Sequence, residues 1–433
     1  MPKGYVYILE CSDGSYYTGS TVYLELRIKQ HQNGLGANHT KKRLPVKLVY
    51  VQEFTRIDEA FNRKKQIQGW SRKKKEALIE HHFEKLPYLS FAYRDKVSSR
   101  TSDTTKASDT MTKNLNNIIF NSNGKLLLTG EYLVLDGALS LAIPTKYGQS
   151  LEVEPIKESK LIWRSLDEKG SVWFENTFEI INNKMLKQSR KLSGQHDDIS
   201  NRLIQILNAT KKLNPDFLNI QNSFKVTTKL DFPRDWGLGT SSTLINNIAQ
   251  WAHVDAYKLL EHTFGGSGYD IACAQHNTPI TYKLLNNVNE ISQVRNDKNI
   301  EEVNFNPPFK NHLYFVYLNQ KQNSRDGIAQ YRNNTSDLSE SISAINSITE
   351  QIISCKTLDA FILLIEKHEN IISKIIHLKP VKERLFNDFN GGIKSLGAWG
   401  GDFILVATKD SPIDYFKKKG FETVIPYQEM TPI

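Results

Sequence analysis

The stretch that most constrains the fold is residues 98–113, SSRTSDTTKASDTMTK, which hold almost no side chain that a core could bury. Such a composition stays flexible because it buries too little apolar surface to offset conformational entropy. The 433-residue chain is also too long for one ordinary core. We therefore predict a domain over 1–85, a linker over 86–113 that is flexible at least over 98–113, and a second unit with lobes at 114–290 and 291–433.

Positive charge is concentrated in the first fifth of the chain. Residues 1–85 hold 16 Lys and Arg against 9 Asp and Glu, which gives +7 of the net +9. A compact basic unit indicates a polyanionic partner, DNA first, with a merely solvated basic surface as the alternative. No apolar run approaches the roughly 20 residues that span a bilayer. The lack of such a run predicts no membrane partner, and the three widely separated cysteines favour a reducing cytoplasm.

The first unit alternates strand-like and helical patterns, which predicts a small α+β domain. GYVYILEC and SYYTGST flank an Asp13–Gly14 turn and place Tyr7 and Tyr17 on adjacent strands. Arg27 and His31 are four residues apart and share a helix face. Arg holds phosphate bidentately, and Tyr or His passes a proton, so this group suits phosphodiester chemistry. The alternative is a tyrosine-rich hairpin that simply packs on its helices.

Short motifs in this unit resemble the GIY-YIG nuclease domains, in the small stand-alone form similar to the UvrC N-terminal domain. The motifs are YVY at 5–7, YTG at 17–19, the Arg27–His31 pair and WSRKKKEALI at 70–79. The resemblance covers about residues 3–83 and implies cleavage of single-stranded or flap DNA with one divalent metal. It also implies catalytic roles for Tyr7 and Tyr17, a phosphate clamp at Arg27 and an assisting role for His31.

One position departs from this family: Lys64, in NRKKQIQGW at 62–70, stands where the metal-binding Glu belongs. Lys offers no oxygen ligand, and at 4 Å a divalent cation and an ammonium repel by about 8 kcal/mol at an effective dielectric of 20. Three explanations are open: a DNA binder without cleavage, a substitute carboxylate at Glu59 or Glu53, or a register shifted by one residue. We expect a binder or a crippled nuclease, in which Lys64 still contacts phosphate.

In the second unit, DFPRDWGLGTSSTLINNIAQWAH runs from a strand into a helix. Two glycines allow a tight turn, and the Ser/Thr cluster opens the helix, which makes an anion site. The alternative is an ordinary Gly-rich connection. No Gly-Lys-Ser/Thr follows, so the loop is not a Walker loop. The candidate nucleotide-binding residues are those of the loop: Gly237, Leu238, Gly239, Thr240, Ser241 and Ser242.

Together with this loop, GKLLLTGEYLVLDG at 124–137 and GGIKSLGAWGGDFILV at 391–406 resemble the three motifs of the GHMP kinases. Trp399 and Asp402 stand where small glycines are more usual. The first motif and GSGYDIACA at 266–274 are closest to the mevalonate and phosphomevalonate kinase branch. The resemblance implies a two-lobed kinase fold, with an S5-like N-terminal lobe and a ferredoxin-like C-terminal lobe, that binds ATP and Mg²⁺.

The resemblance also assigns roles in phosphoryl transfer. Asp270 is the catalytic Asp that draws the proton from the substrate hydroxyl, with a plain helix N-cap as the alternative. Lys125 favours the alkoxide, unless it is a solvated strand lysine. Glu131 is a structural or nucleotide-side partner. Ser241 contacts Mg²⁺, and Glu261 is a further candidate metal ligand.

The sequence thus predicts an ATP-dependent kinase of a small-molecule hydroxyl or phosphate, fused to a DNA-binding domain. The alternative function is a structure-specific DNA repair endonuclease whose GHMP portion only senses a metabolite. A decarboxylase of the same superfamily and a fusion without functional coupling also remain open. Intact Lys125 and Asp270 favour the enzyme over the sensor.

Overall fold

The computed structural model forms two compact units, Met1–Met111 and Thr112–Ile433. The structure describes residues 3–54, 56–80, 117–157, 160–181, 184–187, 194–218, 223–285, 298–321, 324–332, 337–397, 399 and 401–432. The predicted linker over 86–113 lies outside these residues, as does the side chain of Glu59.

The first unit is a three-stranded antiparallel sheet with helices, in strand order β2-β1-β3. Its elements are β1 Gly4–Cys11, β2 Tyr16–Thr21, α1 Leu24–Gln32, α2 Asn38–Lys41, β3 Val46–Phe54, α3 Ile57–Gln68 and α4 Arg72–Ile79. The predicted turn between β1 and β2 is confirmed, with Gly14 at a φ of +75°, where only glycine is relaxed. Among the described elements, the sequence had not indicated α2.

Side chains of β1 alternate between the two faces of this sheet. Val6 and Ile8 pack with Ala60 and Ile67 of α3 in one apolar cluster. Tyr7, with Leu9 and Cys11, packs in a second cluster with Tyr17 of β2 and with Leu24 and Ile28 of α1. The tyrosines and α1 therefore share one side of the sheet, and the buried stripe of α3 lies on the other.

The second unit begins with an eight-stranded sheet in the order β11-β10-β5-β9-β6-β7-β8, with β4 paired along β5. Its strands are β4 Ile118–Leu127, β5 Ser140–Pro155, β6 Leu161–Leu166, β7 Val172–Ile181, β8 Lys184–Lys187, β9 Phe224–Leu230, β10 Ile280–Leu284 and β11 Lys298–Glu302. The helices of this lobe are α5 Gly194–Leu213, α6 Thr240–Ala252, α7 Ala256–Glu261 and α8 Tyr269–Gln275. Because β11 pairs with β10, this sheet extends past the predicted lobe boundary at residue 290.

The following lobe holds a four-stranded antiparallel sheet in the order β13-β14-β12-β15. Its strands are β12 Leu313–Tyr317, β13 Gly392–Ser395, β14 Phe403–Ala407 and β15 Val424–Pro426. Its helices are α9 Ser324–Arg332, α10 Ser339–Ser354, α11 Leu358–Ile376, α12 Val381–Leu385, α13 Ile413–Lys418 and α14 Tyr427–Met430. The predicted α+β architecture, a small domain followed by a two-lobed unit, is confirmed.

One apolar core joins the two lobes of the second unit. It packs Leu126 and Leu141 of the first sheet with Phe315 and Leu405 of the second and with Phe361 of α11, all at most 4% exposed. Burial of this kind stabilises by about 25 cal/mol per Å² of apolar surface. The lobes are therefore held as one body, and the cavity between them has defined walls. Among the described residues, no helix is long and apolar enough to cross a bilayer.

Candidate active site and candidate nucleic-acid interface

A cavity of about 740 Å³ lies between the lobes of the second unit. Segments of both lobes converge on it, among them β4, the loop after β4, the loop before α6 with the start of that helix, the start of α8, and the turn before β14. Their polar side chains face a common space. The polar and charged lining residues are Lys125, Glu131, Thr240, Ser241, Ser242, Ser267, Asp270, Lys321 and Asp402.

The glycine loop forms one wall of this cavity. Gly237 and Gly239 have φ values of +67° and +93°, which side chains rarely tolerate. Gly239 is the N-cap of α6, so the helix starts at Thr240, which lines the cavity. The backbone N–H of Lys125 donates to the carbonyl of Leu238 at 3.0 Å and fixes the loop against β4. The loop thus presents backbone N–H groups at the positive end of a 13-residue helix.

Lys125 and Asp270 form the charged centre of the site. Burial raises the pKa of the Asp270 carboxyl, and the Lys125 ammonium opposes that rise. Burial alone lowers the pKa of Lys125, but Tyr269, Asp402 and Asp270 together raise it above its ordinary value. The ammonium also lies 5.8 Å from the ring centre of Tyr269. Lys125 therefore stays protonated beside a carboxylate.

Asp270 is the second residue of α8, and the N-cap of that helix is Gly268. One carboxylate oxygen of Asp270 accepts from its neighbour Ile271 N–H at 3.1 Å. The side chain is only half-buried and lines the cavity. The N-cap alternative for Asp270 is therefore wrong, and its carboxylate is positioned for contact with a bound molecule.

Glu131 belongs to a buried ionic cluster that the sequence did not indicate. Lys394 of β13 donates to one oxygen of Glu131, and the other oxygen lies 3.2 Å from Nε2 of His368. That Nε2 accepts the backbone N–H of Gly130 at 3.0 Å. Glu369, beside His368 on α11, lies 3.8 Å from the Lys394 ammonium. Glu131, His368, Glu369 and Lys394 are each at most 2% exposed, so Glu131 has structural partners at the cavity wall.

Of the two candidate metal ligands, Ser241 lines the cavity and Glu261 does not. Ser241 is in the first turn of α6 and lines the cavity. Glu261 is exposed at the end of α7 and is not among the lining residues. Among the described residues, no three His, Cys, Asp or Glu side chains are grouped as a metal site. A cation here would take hydroxyl and carboxylate oxygens from the protein and the rest of its ligands from a bound phosphate, which is how Mg²⁺ usually binds.

A second cavity of about 630 Å³ adjoins the first, and the two share Thr240, Ser241 and Phe264. Its lining combines aromatic side chains, Trp163 and Trp173 among them, with polar and charged ones such as Asp198 and Arg202. The combined space therefore runs from a partly aromatic compartment, past the start of α6, to the charged centre.

In the first unit, Tyr7 and His31 form a buried hydrogen-bonded pair. The Tyr7 hydroxyl lies 2.9 Å from His31 Nε2, and His31 Nδ1 lies 2.7 Å from the Thr40 hydroxyl. Thr40 donates to the carbonyl of Ala37, so it accepts from Nδ1–H, and Nε2 is left to accept from Tyr7. Burial raises the pKa of Tyr7 to about 12. Burial and then Arg27 lower the pKa of His31 to about 4.

The other two predicted residues lie beside this pair. The Tyr17 ring centre is 5.0 Å from that of His31. Arg27 is half-buried, donates to Gln30 at 2.8 Å, and interacts with the Tyr7 hydroxyl. The structure therefore brings all four predicted residues together on one side of the sheet. Thr40, which orients His31, was missed because its helix carries no apolar pattern.

Lys64 lies on the buried stripe of α3, four residues after Ala60 and three before Ile67. Both of these neighbours are fully buried, and Lys64 is half-buried. Its ammonium lies 5.4 Å from the ring centre of Phe61. The apolar residues of this stripe pack on the sheet face of Val6, opposite the face that carries Tyr7. Helix α3 also contacts the edge strand β2, so a side chain at position 64 reaches the Tyr7 face only around that edge. The other candidate carboxylate, Glu53, pairs with Lys3 at 2.6 Å.

The first unit matches a known family directly. The model of the GIY-YIG catalytic domain matches residues 3–77. A UPF0213 protein of Staphylococcus saprophyticus is 49% identical over 79 residues, which cover 18% of this chain and 96% of that protein. A UPF0213 protein of Syntrophus aciditrophicus is 45% identical over 87 residues, 20% of this chain and 100% of that protein. Through its first domain, the chain belongs to the GIY-YIG family.

The second unit has the fold of the GHMP kinases. The mevalonate kinase of Methanococcus jannaschii superposes with a TM-score of 0.51 at 16% identity, over 72% of this chain and 97% of that one. A Lactococcus lactis galactokinase complexed with galactose gives a TM-score of 0.50 at 13% identity, over 70% and 88%. At such identities the likeness concerns the fold, and the chemistry depends on the residues of the cavity.

Proposed function

We propose that the second unit is an ATP-dependent kinase that phosphorylates a hydroxyl or phosphate of a small molecule. One observation carries the proposal: Lys125 and Asp270 line the same cavity as the N-terminus of α6. Phosphoryl transfer needs little covalent chemistry from a protein and depends on positioning and charge neutralisation. A helix N-terminus for the phosphates, a carboxylate for the proton and an ammonium for the developing charge meet that need.

Each residue has a distinct role in this proposal. The N–H groups from Gly237 to Ser242 bind the phosphates of ATP and hold the terminal one at the charged centre. Asp270 accepts the proton of the acceptor hydroxyl as that oxygen approaches the phosphorus. Lys125 stays protonated and stabilises the alkoxide and the transferred charge. The buried cluster around Glu131 fixes the wall that carries these groups.

The donor set also fits Mg²⁺, because hydroxyl and carboxylate oxygens are the ligands that this cation prefers. Ser241, with its hydroxyl at the start of α6, would hold it. When bound, Mg²⁺ neutralises charge on the phosphate oxygens. The adjoining cavity is the compartment for the nucleoside in this proposal, because it borders the start of α6 and has aromatic side chains in its lining.

An acceptor screen tests the kinase proposal. The full chain is incubated with Mg²⁺ and ATP, and ADP formation is measured with mevalonate, phosphomevalonate, related hydroxy acids and sugars. We expect one acceptor class to raise ADP formation well above the rate without acceptor. A sensor would bind ATP or a metabolite with no acceptor-dependent turnover, and a decarboxylase would release CO₂ with the ADP.

We also propose that the GIY-YIG domain binds DNA through phosphate contacts. Its excess of basic residues supports this, together with the grouping of Tyr7, Tyr17, Arg27 and His31. Tyr7 and His31 are hydrogen-bonded, but the raised pKa of Tyr7 and the lowered pKa of His31 keep the proton on Tyr7, and Lys64 stands where the resemblance places a metal-binding Glu. We therefore expect binding with poor cleavage.

DNA affinity should fall steeply with salt, because each Lys or Arg that contacts a phosphate releases a condensed counterion. With six phosphate contacts, affinity for duplex DNA should drop about 10³-fold between 50 and 200 mM salt. Fluorescence anisotropy with two unrelated sequences measures this and should give similar slopes for both. An affinity that stays flat across this range would contradict phosphate-based binding.

Lys64→Glu tests the missing-ligand hypothesis. We expect the wild type to nick branched or single-stranded DNA poorly with Mg²⁺ or Mn²⁺. The variant should bind more weakly at low salt, because its net charge falls by two, yet it should nick faster because a carboxylate ligand is restored. Adding Tyr7→Phe to the variant should remove the regained cleavage.

Lys65→Glu is the matched control for this substitution. Lys65 is the adjacent, exposed residue of α3. The Lys65→Glu substitution therefore changes the net charge by the same amount, but outside the buried stripe. We expect it to weaken binding without raising cleavage. If Lys64→Glu fails to restore nicking, a carboxylate at position 64 does not supply a metal ligand to the site around Tyr7. Efficient cutting by the wild type that survives Glu59→Gln and Glu53→Gln would refute both carboxylate explanations.

A further inference from the structure

Asp402 has an unusual position and an unusual backbone conformation. It follows the glycines of the third motif, immediately before β14, and its φ is +53°. A residue with a side chain enters this left-handed region at a cost in free energy, and such strain concentrates at functional sites. Two backbone hydrogen bonds hold it there: its N–H donates to the carbonyl of Gln320 at 2.6 Å, and its carbonyl accepts from Leu318 at 2.8 Å.

The side chain of Asp402 rests against the phosphate-binding loop. A Cβ on Gly237 would lie 2.6 Å from both carboxylate oxygens of Asp402. This contact explains why position 237 must be glycine, beyond the positive φ that it also requires. The carboxylate lines the main cavity together with Lys125 and Ser241. An acidic side chain therefore stands where the loop would receive the phosphates of ATP.

A carboxylate in direct contact with an anion-binding loop would by itself repel phosphates. A divalent cation between them reverses the sign of this interaction, because Mg²⁺ binds carboxylate and phosphate oxygens together. Asp270 and Asp402 both face the Lys125 ammonium and raise its pKa, and Glu131 is bound by Lys394. Of the two carboxylates beside Lys125, Asp402 is the one that contacts Gly237 of the phosphate-binding loop. From this placement we infer that Asp402 is a ligand of the Mg²⁺ that accompanies ATP.

This inference rests on the proposed kinase function and makes a claim about binding that is separate from turnover. Calorimetry of the full chain measures ATP affinity with Mg²⁺ and, separately, with EDTA. In the wild type, Mg²⁺ should strengthen ATP binding. In Asp402→Asn, affinity with Mg²⁺ should fall about tenfold or more, as expected for loss of a metal ligand. Affinity with EDTA should stay the same or rise, because a negative charge has left the loop.

Two further variants complete the test. Asp402→Gly keeps the left-handed backbone without strain, so it should reproduce the loss of Mg²⁺ dependence and melt no lower than the wild type. Asp410→Asn removes an exposed carboxylate from the turn after β14 and should change nothing. Tighter ATP binding by Asp402→Asn in both conditions would show instead that the carboxylate only blocks the loop, and equal affinities would show a structural role. A wild type that binds ATP in neither condition would refute the kinase proposal itself.

Discussion

Asp270→Asn should lower kcat for phosphoryl transfer by about 10²–10⁴-fold, the usual contribution of a positioned general base. Asn keeps the shape of the side chain and its hydrogen bond from Ile271, but it cannot accept the acceptor's proton. Affinity for ATP should change by less than about threefold, since the phosphates contact the loop and not this carboxylate. Steady-state kinetics with the acceptor found by the screen, together with calorimetry of ATP, measure the two effects separately.

Asp255→Asn is the matched control, because Asp255 is the N-cap of α7 and accepts from the N–H groups of Tyr257 and Lys258. Asn caps a helix as well as Asp does, so this variant should keep wild-type kinetics. Transfer by Asp270→Asn within tenfold of the wild type would contradict the base assignment. Loss of ATP binding in that variant would make Asp270 part of the nucleotide site instead.

Lys394→Met should lower the free energy of unfolding of the second unit by about 3–5 kcal/mol. The substitution leaves the Glu131 carboxylate buried without its counter-ion, which is the costly case for a buried pair. Urea unfolding followed by tryptophan fluorescence reports on this unit, because Trp70 is the only one of six tryptophans in the first domain. Lys409→Met, which breaks an exposed ion pair with Asp359, is the matched control and should cost less than about 1 kcal/mol.

The same cluster predicts a dependence of stability on pH. Burial raises the pKa of Glu369 to about 8, from an ordinary value of 4.5; Lys394 opposes the rise and Glu131 adds to it. Between those values the folded state holds a proton that the unfolded chain has lost, so stability falls as pH rises through this window. Glu369→Gln should therefore be nearly neutral at pH 5 and stabilising near pH 8. A wild type and variant with parallel pH profiles would contradict a protonated Glu369.

Features carried by short stretches of sequence could be predicted. The glycine loop and the start of α6 follow from turn and capping chemistry within a few residues, whereas Asp270 was singled out by the resemblance to a family. The β1–β2 hairpin and the Arg27–His31 spacing are also local. The resemblance of such short motifs to two known families identified both folds and supplied the candidate site residues.

Features that join distant parts of the chain could not be predicted. Lys394 reaches Glu131 across 263 positions, and no local pattern marks a buried lysine. Asp402 was noted only as a departure from a glycine motif, because its contact with Gly237 joins two segments that are far apart in the sequence. The sequence likewise does not tell which face of the sheet α3 covers. Lys64 could therefore be matched to the family motif, but its position relative to Tyr7 could not be predicted.

Calorimetry of ATP with Mg²⁺ on the full chain tests the central claim most directly. The account predicts saturable binding of one ATP per chain at or below millimolar concentration. Gly239→Val should abolish it, since a Cβ there would lie 2.8 Å from the Ser242 hydroxyl and 3.1 Å from Cγ of Lys125. No heat of binding from the wild type at millimolar ATP, in a sample whose folding is verified by its urea transition, would contradict the kinase account.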